Sequence, residues 1–316
     1  MNAKLLETPP ENIVSFEDTR KLAPLGRRRL TITVLAVPFV ALLVAIVMLC
    51  WNGFDRETLV ALGLFVLFYF IAGLGVTAGF HRLFTHKSYE TKTWVKVLLT
   101  IAGSMSLQGM MIAWCKDHNV HHEFSDVAGK DRHTPHGHAN YWVGFWYSHF
   151  GWLLLDSSEE DNQKHIKRLE GNPWIMWADR NFLYWVILGF ILPGLMGGLI
   201  TLSWKGAWLG FLWGGLVRLC VLQHITWCIN SVCHIWGEQP FESDDESRNN
   251  VWLAFVSFLG EAWHNNHHAF EWSARHGLEW WQIDGTWCLI KFLGWSRLVW
   301  NIKVPTPAQI ARKRRV

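Results

Sequence analysis

The stretch Thr58–His86, TLVALGLFVLFYFIAGLGVTAGFHRLFTH, runs 23 residues without a charge and then places two histidines five positions apart. The hydrocarbon core of a bilayer is about 30 Å thick and takes about 20 helical residues to cross. Thr58 to Phe80 meets that length, and His81 lies about 35 Å along the helix from Thr58, just past one edge of the core. An apolar span thus ends in imidazole at a membrane edge.

Three more apolar runs reach spanning length: Thr31 to Trp51, Phe182 to Trp204, and Gly206 to about Cys228. Within each pair the connection is short, NGFDRE in the first and little more than Lys205 in the second, which predicts two antiparallel helical hairpins over 31–80 and 182–228. Lys21 and Arg27 to Arg29 precede the first hairpin, Lys164, Lys167, Arg168 and Arg180 precede the second, and Arg312 to Arg315 follow. The tips carry only Arg56 and Lys205. Cationic residues stay on the cytoplasmic side, so segments 1–30, 81–181 and 229–316, both termini included, are expected there. The expected fold class is an all-α integral membrane protein: four transmembrane helices in two hairpins, with a cytoplasmic helical cap holding a histidine-rich dimetal site.

Val97 to Cys115 is also uncharged, but a crossing there would put His118 across the bilayer from His81. An interfacial or re-entrant helix is expected instead. Trp142 to Leu155 is too short to cross and reads as a surface segment. Arg218, near the middle of the fourth span, must face inward toward a partner, because an unpaired cation in lipid is costly.

Composition agrees with a membrane protein. Half the residues are apolar and only 17% are charged, against a usual quarter, and the 22 tryptophans suit a membrane interface. A net charge of +3, with no nucleic-acid-binding motif, gives no reason to expect a DNA or RNA partner. The six cysteines form no CxxC pair and are expected to be reduced. The polar first thirty residues do not resemble a cleaved signal, since the apolar run after them is too long.

Nine histidines fall in a pattern: His81 and His86; His118, His121 and His122 in HNVHH; His234 in NSVCH; His264, His267 and His268 in HNNHH. In HNVHH and HNNHH the spacing i, i+3, i+4 places imidazoles on one helical face. The i, i+5 spacing of HRLFTH is awkward for a regular helix and is expected to straddle the end of the second span. Asn230 stands four residues before His234 and can reach the same metal directly or through water. One zinc would be saturated by three or four ligands, so nine imply two ions. Nitrogen ligands without thiolate suit iron, copper or zinc. Asp117, Glu123, Asp126 and Glu261 are candidate acceptors for ligand N–H groups, weighed evenly against solvated charges.

HRLFTH, WCKDHNVHHEFSD, NSVCH and GEAWHNNHHAF, in that order with both hairpins, resemble the membrane fatty-acyl desaturases, specifically the stearoyl-CoA Δ9 type, from about Ala72 to the C-terminus. The resemblance implies two iron ions held by His81, His86, His118, His121, His122, His234, His264, His267 and His268, with Asn230 acting through water. It implies O2 and external electrons used to convert a long-chain acyl-CoA, or alternatively an acyl-lipid, to a cis-monoene. No haem domain is evident in the sequence, so a separate ferredoxin-like or cytochrome donor is expected. The positions matching the bend of the family's acyl tunnel are Gln108, Trp114, Thr226 and Trp227, with Tyr69 and Gly73 toward its closed end. Core packing is an equal account of Trp227.

One departure stands out. Where the family reads DPH and a pair of arginines, this chain has DRHTPHGHANYW, expected as a surface loop with His133 in the place of the family's histidine. Without those arginines, Lys116, Asp117, Lys130 and Arg132 are the polar groups near a CoA phosphate. Two other functions fit parts of the pattern. A membrane di-iron hydroxylase or ketolase shares the histidines but not the NSVCH and HNNHH context. A divalent-metal transporter needs ionisable ligands at the bilayer midplane, where only Arg218 and His224 are candidates.

Overall fold

The computed structural model describes residues 22–156 and 171–315. The expectations for Lys21, Lys164, Lys167 and Arg168 fall outside these. The chain begins with α1 (Leu25–Asn52) and α2 (Arg56–Leu74), the latter running on as a π-helix over Gly75–Thr85. Then come β1 (Glu90–Thr91), α3 (Thr93–Ser104), α4 (Met111–Phe124), α5 (Tyr141–His149) and a 3-10 turn at Gly151–Leu154. After α6 (Pro173–Arg180) and α7 (Phe182–Thr201), α8 (Trp204–Gly210) passes through a π-helical stretch, Phe211–Val217, into α9 (Arg218–Ser231). The chain finishes with α10 (Val251–Ser257), α11 (His264–Ala269), α12 (Gly285–Trp295), β2 (Val299–Trp300) and α13 (Pro307–Lys313). The two strands pair antiparallel, Glu90 with Trp300 and Thr91 with Val299.

Among the described residues, four helical segments are long and apolar enough to cross a membrane: Leu25–Trp51, Arg56–Thr85, Phe182–Thr201 and Trp204–His234. Side chains such as Val40, Val47, Leu59, Leu183 and Leu199 are exposed on them, as lipid-facing residues are. The second and fourth segments extend past their expected ends at Phe80 and Cys228, because the helices carry on through His81 and up to His234. Asp55 caps α2 by accepting from Thr58 N–H, and Ser203 caps α8 by accepting from Gly206 N–H. At that end Lys205 pairs with Asp55, and Arg56 Nη2 donates to Ile200 O at 3.0 Å.

Packing between segments relies on small residues that let backbones touch. A Cβ on Gly197 would sit 2.2 Å from Gly206 O, and one on Gly210 would sit 2.4 Å from Pro193 O, so α7 and α8 are in backbone contact. The first helix packs more extensively on the π-helical stretch of the fourth segment than on α2. There Ala41 and Ala45 meet Leu209, Leu212, Trp213 and Val217.

The expected single helix over Val97–Cys115 is instead two helices. The chain breaks between Ser104 and Met111, with Leu107 and Gly109 at positive φ of 54° and 106°. Arg218 gives the physical reason. Its fully buried guanidinium donates to Met105 O at 2.7 Å, Gly189 O at 3.0 Å and Gly214 O at 3.1 Å. A helix end supplies carbonyls without intrahelical partners, and Met105 O at the end of α3 is one of them. The cation expected to find a partner finds three backbone oxygens.

At Gly75 the second segment crosses α3 with the least room: a Cβ there would lie 2.1 Å from Gly103 N and 2.4 Å from Ala102 C. Gly63, on the same helix, has nothing within 4 Å of such an atom. Gly75→Ala is therefore expected to lower stability by about 1–3 kcal/mol or more through overpacking, and Gly63→Ala to leave it unchanged or raised. Thermal unfolding of the two variants in detergent, read by tryptophan fluorescence, checks this.

Candidate metal centre

The helix that brings His81 and His86 together is wound for the purpose. At 3.6 residues per turn, positions i and i+5 point about 140° apart. Over Gly75–Thr85 the chain bonds i to i+5, and His86 N–H donates to His81 O at 3.0 Å. The two rings then lie on one side, their centroids 4.8 Å apart. Such π-helical insertions recur at functional sites.

The nine patterned histidines gather into two groups: His81, His86, His118, His122 and His267 in one, and His121, His234, His264 and His268 in the other. HNVHH and HNNHH each serve both. In HNVHH the i, i+4 pair goes to the first group and His121 to the second. In HNNHH the i, i+4 pair, His264 and His268, goes to the second group and His267 to the first. The groups are therefore forced side by side, with the His122 and His268 rings stacked at 4.5 Å.

Within the groups Nε2 atoms face one another. His81 to His267 is 3.0 Å, His267 to His122 is 2.9 Å, His122 to His118 is 3.1 Å, and His118 to His86 is 3.2 Å. His234 to His264 is 3.0 Å, and His264 to His268 is 3.1 Å. An imidazole–metal bond is about 2.1 Å long, so two ligands at a right angle stand about 3.0 Å apart. The spacings are those of neighbouring ligands on a shared ion.

The far ring nitrogens are anchored by carboxylates. Glu261 takes His81 Nδ1 at 2.6 Å, Asp131 takes His121 Nδ1 at 3.0 Å, and Asp126 takes His234 Nδ1 at 2.8 Å. Asp245 takes His268 Nδ1 at 2.5 Å, and Glu271 approaches His122 Nδ1 at 3.4 Å. Anchors of this kind fix the tautomer, leaving the Nε2 lone pair free for a metal. Burial, then the neighbouring imidazoles, hold His118, His122, His264 and His267 well below the ordinary histidine range. Burial lowers His268 too, partly offset by Asp245, to about 4. Burial would raise Glu261, but Arg82, His81 and His276 outweigh it and keep the carboxyl well below its usual range. Neutral imidazoles among ionised carboxylates are what a cation requires.

Of the four carboxylates singled out in the sequence, Asp126 and Glu261 hold His234 and His81, while Asp117 pairs with Arg132 at 2.9 Å. Glu123 belongs to neither histidine group. The loop expected at the surface is buried at its centre, since Asp131, Arg132, His133 and Thr134 are each at most 9% exposed. It is drawn in because Asp131 anchors His121 and also receives Asp126 N–H at 3.1 Å. His133 lies against His121, with ring centroids 4.6 Å apart. Asp131, Asp245, Glu271, Arg82 and His276 were not foreseen. Arg82, adjacent to His81, is fully buried and ties Glu261 to Asp284, with Nη2 2.8 Å from Glu261 and 3.0 Å from Asp284.

A cavity runs between the second and fourth apolar segments to both histidine groups. Gly73, Val76, Leu222, Ile225 and Leu259 line its apolar part; His81, His118, His121, His264, Glu261 and Asn230 line the other end. Trp114 and Thr226 also line it, and Gln108 links them, donating to Thr226 Oγ1 at 2.9 Å and accepting from Trp114 Nε1 at 3.3 Å. Tyr69 OH donates to the carbonyl of Ser257, a lining residue. Trp227 is not among the lining residues; its ring packs edge-on against His149 and His224. Lys116 is half-buried on α4, between Cys115 and Asp117.

Comparison with known proteins bears on this arrangement. The fatty acid desaturase family model matches residues 57–291. A hex-5-enoyl-[acyl-carrier protein] acetylenase of Moorena producens is 38% identical over 88% of this chain and 87% of its own length. An sn-1 stearoyl-lipid 9-desaturase of Synechocystis sp. is 38% identical over 79% of this chain and 73% of its own. An icosanoyl-CoA 5-desaturase of Limnanthes douglasii is 38% identical over 78% of this chain and 65% of its own. With the family model spanning residues 57–291, and so all nine clustered histidines, the chain belongs to the fatty acid desaturase family.

Proposed function

We propose that this protein uses O2 and external electrons to introduce a cis double bond at the Δ9 position of a long-chain saturated fatty acyl chain. The observation that carries the proposal is the cavity whose apolar walls end on both histidine groups. Nine imidazole nitrogen donors in two adjacent groups, with no thiolate among them, fit two iron ions. His81, His86, His118, His122 and His267 would hold one, and His121, His234, His264 and His268, with Asn230 through water, the other. When bound, the irons supply the oxygen chemistry that unactivated C–H bonds demand and no side-chain acid or base provides.

The chain's own residues orient the substrate and exclude water. Leu222, Ile225 and Leu259 exclude water from the acyl chain, and the hydrogen-bonded set Trp114–Gln108–Thr226 makes the wall at which it turns toward the metals. Tyr69, held by Ser257, and Gly73 close the far end. A Cβ on Gly73 would meet Leu259 at 2.9 Å, so the chain ends where that glycine leaves room.

The membrane arrangement we propose is multi-pass, two hairpins below a cytoplasmic cap, with both termini and the metals on the cytoplasmic face. In support, the second and fourth segments start together at the Lys205–Asp55 pair and finish together at the histidines, while Arg27 to Arg29 and Arg312 to Arg315 flank the spans. Electrons come from a separate donor.

The carrier is the point on which one observation favours a lipid ester over acyl-CoA. A CoA phosphate needs free cations, whereas Arg132 is buried, bonded to Asp117 and set over the Trp152 ring at 5.1 Å. The relative from Synechocystis sp. is named for a lipid substrate.

Expression in a bacterium lacking Δ9 desaturation is expected to yield Δ9 monoenes by gas chromatography with derivatised double bonds. Hydroxylated acids without monoenes would refute it. With purified donor and reductase, labelled stearoyl lipid in vesicles is expected to be converted and labelled stearoyl-CoA not; the reverse outcome would restore the CoA reading. His122→Ala is expected to abolish product while leaving the protein in the membrane fraction. In iron-stripped protein, His118, His122, His264, His267 and His268, all held below the ordinary histidine range, stay neutral when folded but bind protons when unfolded, below about pH 6.5. The unfolded state then holds more protons, so the melting temperature is expected to fall as pH drops from about 7.5 to 5.5, and iron to suppress that fall.

A further inference from the structure

His276 lies outside the nine patterned histidines, in SARHGLEWW, and is 1% exposed. Its backbone is fixed on both sides: its N–H donates to Asp284 Oδ2 at 2.8 Å, and its carbonyl accepts from Asn266 Nδ2 at 2.8 Å. Its Nε2 makes no hydrogen bond, and its Nδ1 makes only a long contact with Glu261 Oε2, at 3.4 Å. Leaving a buried ring nitrogen without a partner is costly, and the cost calls for a compensating role.

The role is visible at His267. His81, His121, His234 and His268 each have a carboxylate within 3.0 Å of Nδ1, but His267 Nδ1 is buried without a hydrogen-bond partner. Its ring is instead covered by that of His276, with centroids 4.5 Å apart and planes 30° from parallel. His276 also stands edge-on to His81, at 5.4 Å, against the same Glu261 that anchors His81. One imidazole thus faces two ligands of the five-histidine group, brought from α11 and from the π-helix.

We infer that His276 is a positioning residue for the metal held by the five-histidine group, its ring face taking the place of the carboxylate that His267 lacks. This rests on the two-iron reading above. It needs only the face of the ring, not either nitrogen, so Phe satisfies it and Asn does not.

The test compares wild type, His276→Phe and His276→Asn, purified in detergent as monodisperse protein. Iron per chain is measured by mass spectrometry, and the rate of iron release to a ferrous chelator under reductant by absorbance. Removing an outer support of this kind costs about 10–100-fold in metal affinity. His276→Asn is expected to release one of its two irons at least about tenfold faster than wild type, with the other iron unchanged. His276→Phe is expected to match wild type within about twofold in both phases, while its Mössbauer doublets stay those of wild type. Equal release from Asn and wild type, or equal loss from Phe and Asn, would overturn the role. Wild type without iron would overturn the two-iron reading itself. If the Asn variant does not fold, His276→Leu replaces it: the same fast phase supports the role, and wild-type release overturns it.

Discussion

Nine clustered imidazoles, eight of them with a nitrogen about 3 Å from that of a neighbour, form an arrangement that repels itself unless a cation sits among them. Everything else in this protein accommodates that constraint. Burial and mutual repulsion hold His118, His122, His264 and His267 well below the ordinary histidine range, and Glu261, Asp131, Asp126 and Asp245 bring negative charge to the far nitrogens of His81, His121, His234 and His268. The carboxylates need support in turn. Arg82 holds Glu261 and Asp284, and Asp284 caps α12 and receives the backbone of the 276–277 turn. The site is therefore stabilised by a layered shell of charge in which each layer neutralises the one inside it.

The apolar helices supply geometry that a water-soluble scaffold of this size would have to build otherwise. Two of them deliver clustered histidines at their ends, and both depart from regular α winding on the way: one at Gly75–Thr85, where His81 and His86 are aligned, and one at Phe211–Val217, where Gly214 O turns to Arg218. Arg218 links that helix to Gly189 on α7 and to the break after α3. A cation inside an apolar bundle can be stable when carbonyls freed by helix irregularities converge on it. The same break starts α4, which carries Trp114 and three ligands toward the cavity.

Much of this was legible in the linear chain, for identifiable reasons. Length and hydropathy determined the four apolar segments because a bilayer imposes a fixed thickness, and i, i+3, i+4 spacing determined that HNVHH and HNNHH each present a ligand face because α-helical geometry is local. Arg218 was readable as an inward-facing cation for the same reason that it is costly in lipid. The family itself was readable from HRLFTH, HNVHH, NSVCH and HNNHH.

What the sequence could not decide was which histidine joins which group, since that depends on the helices crossing. His121 and His122 are neighbours in the chain and lie in different groups. Nor could it choose among carboxylates: Asp245 sits in the acidic run ESDDES and Asp131 in a stretch without periodicity, both of which read as solvated until folding sets them beside His268 and His121. His276 carried no pattern at all. Local spacing encodes which faces bear ligands; the pairing of those faces, and the charges that surround them, arises only from contacts between residues far apart in the chain.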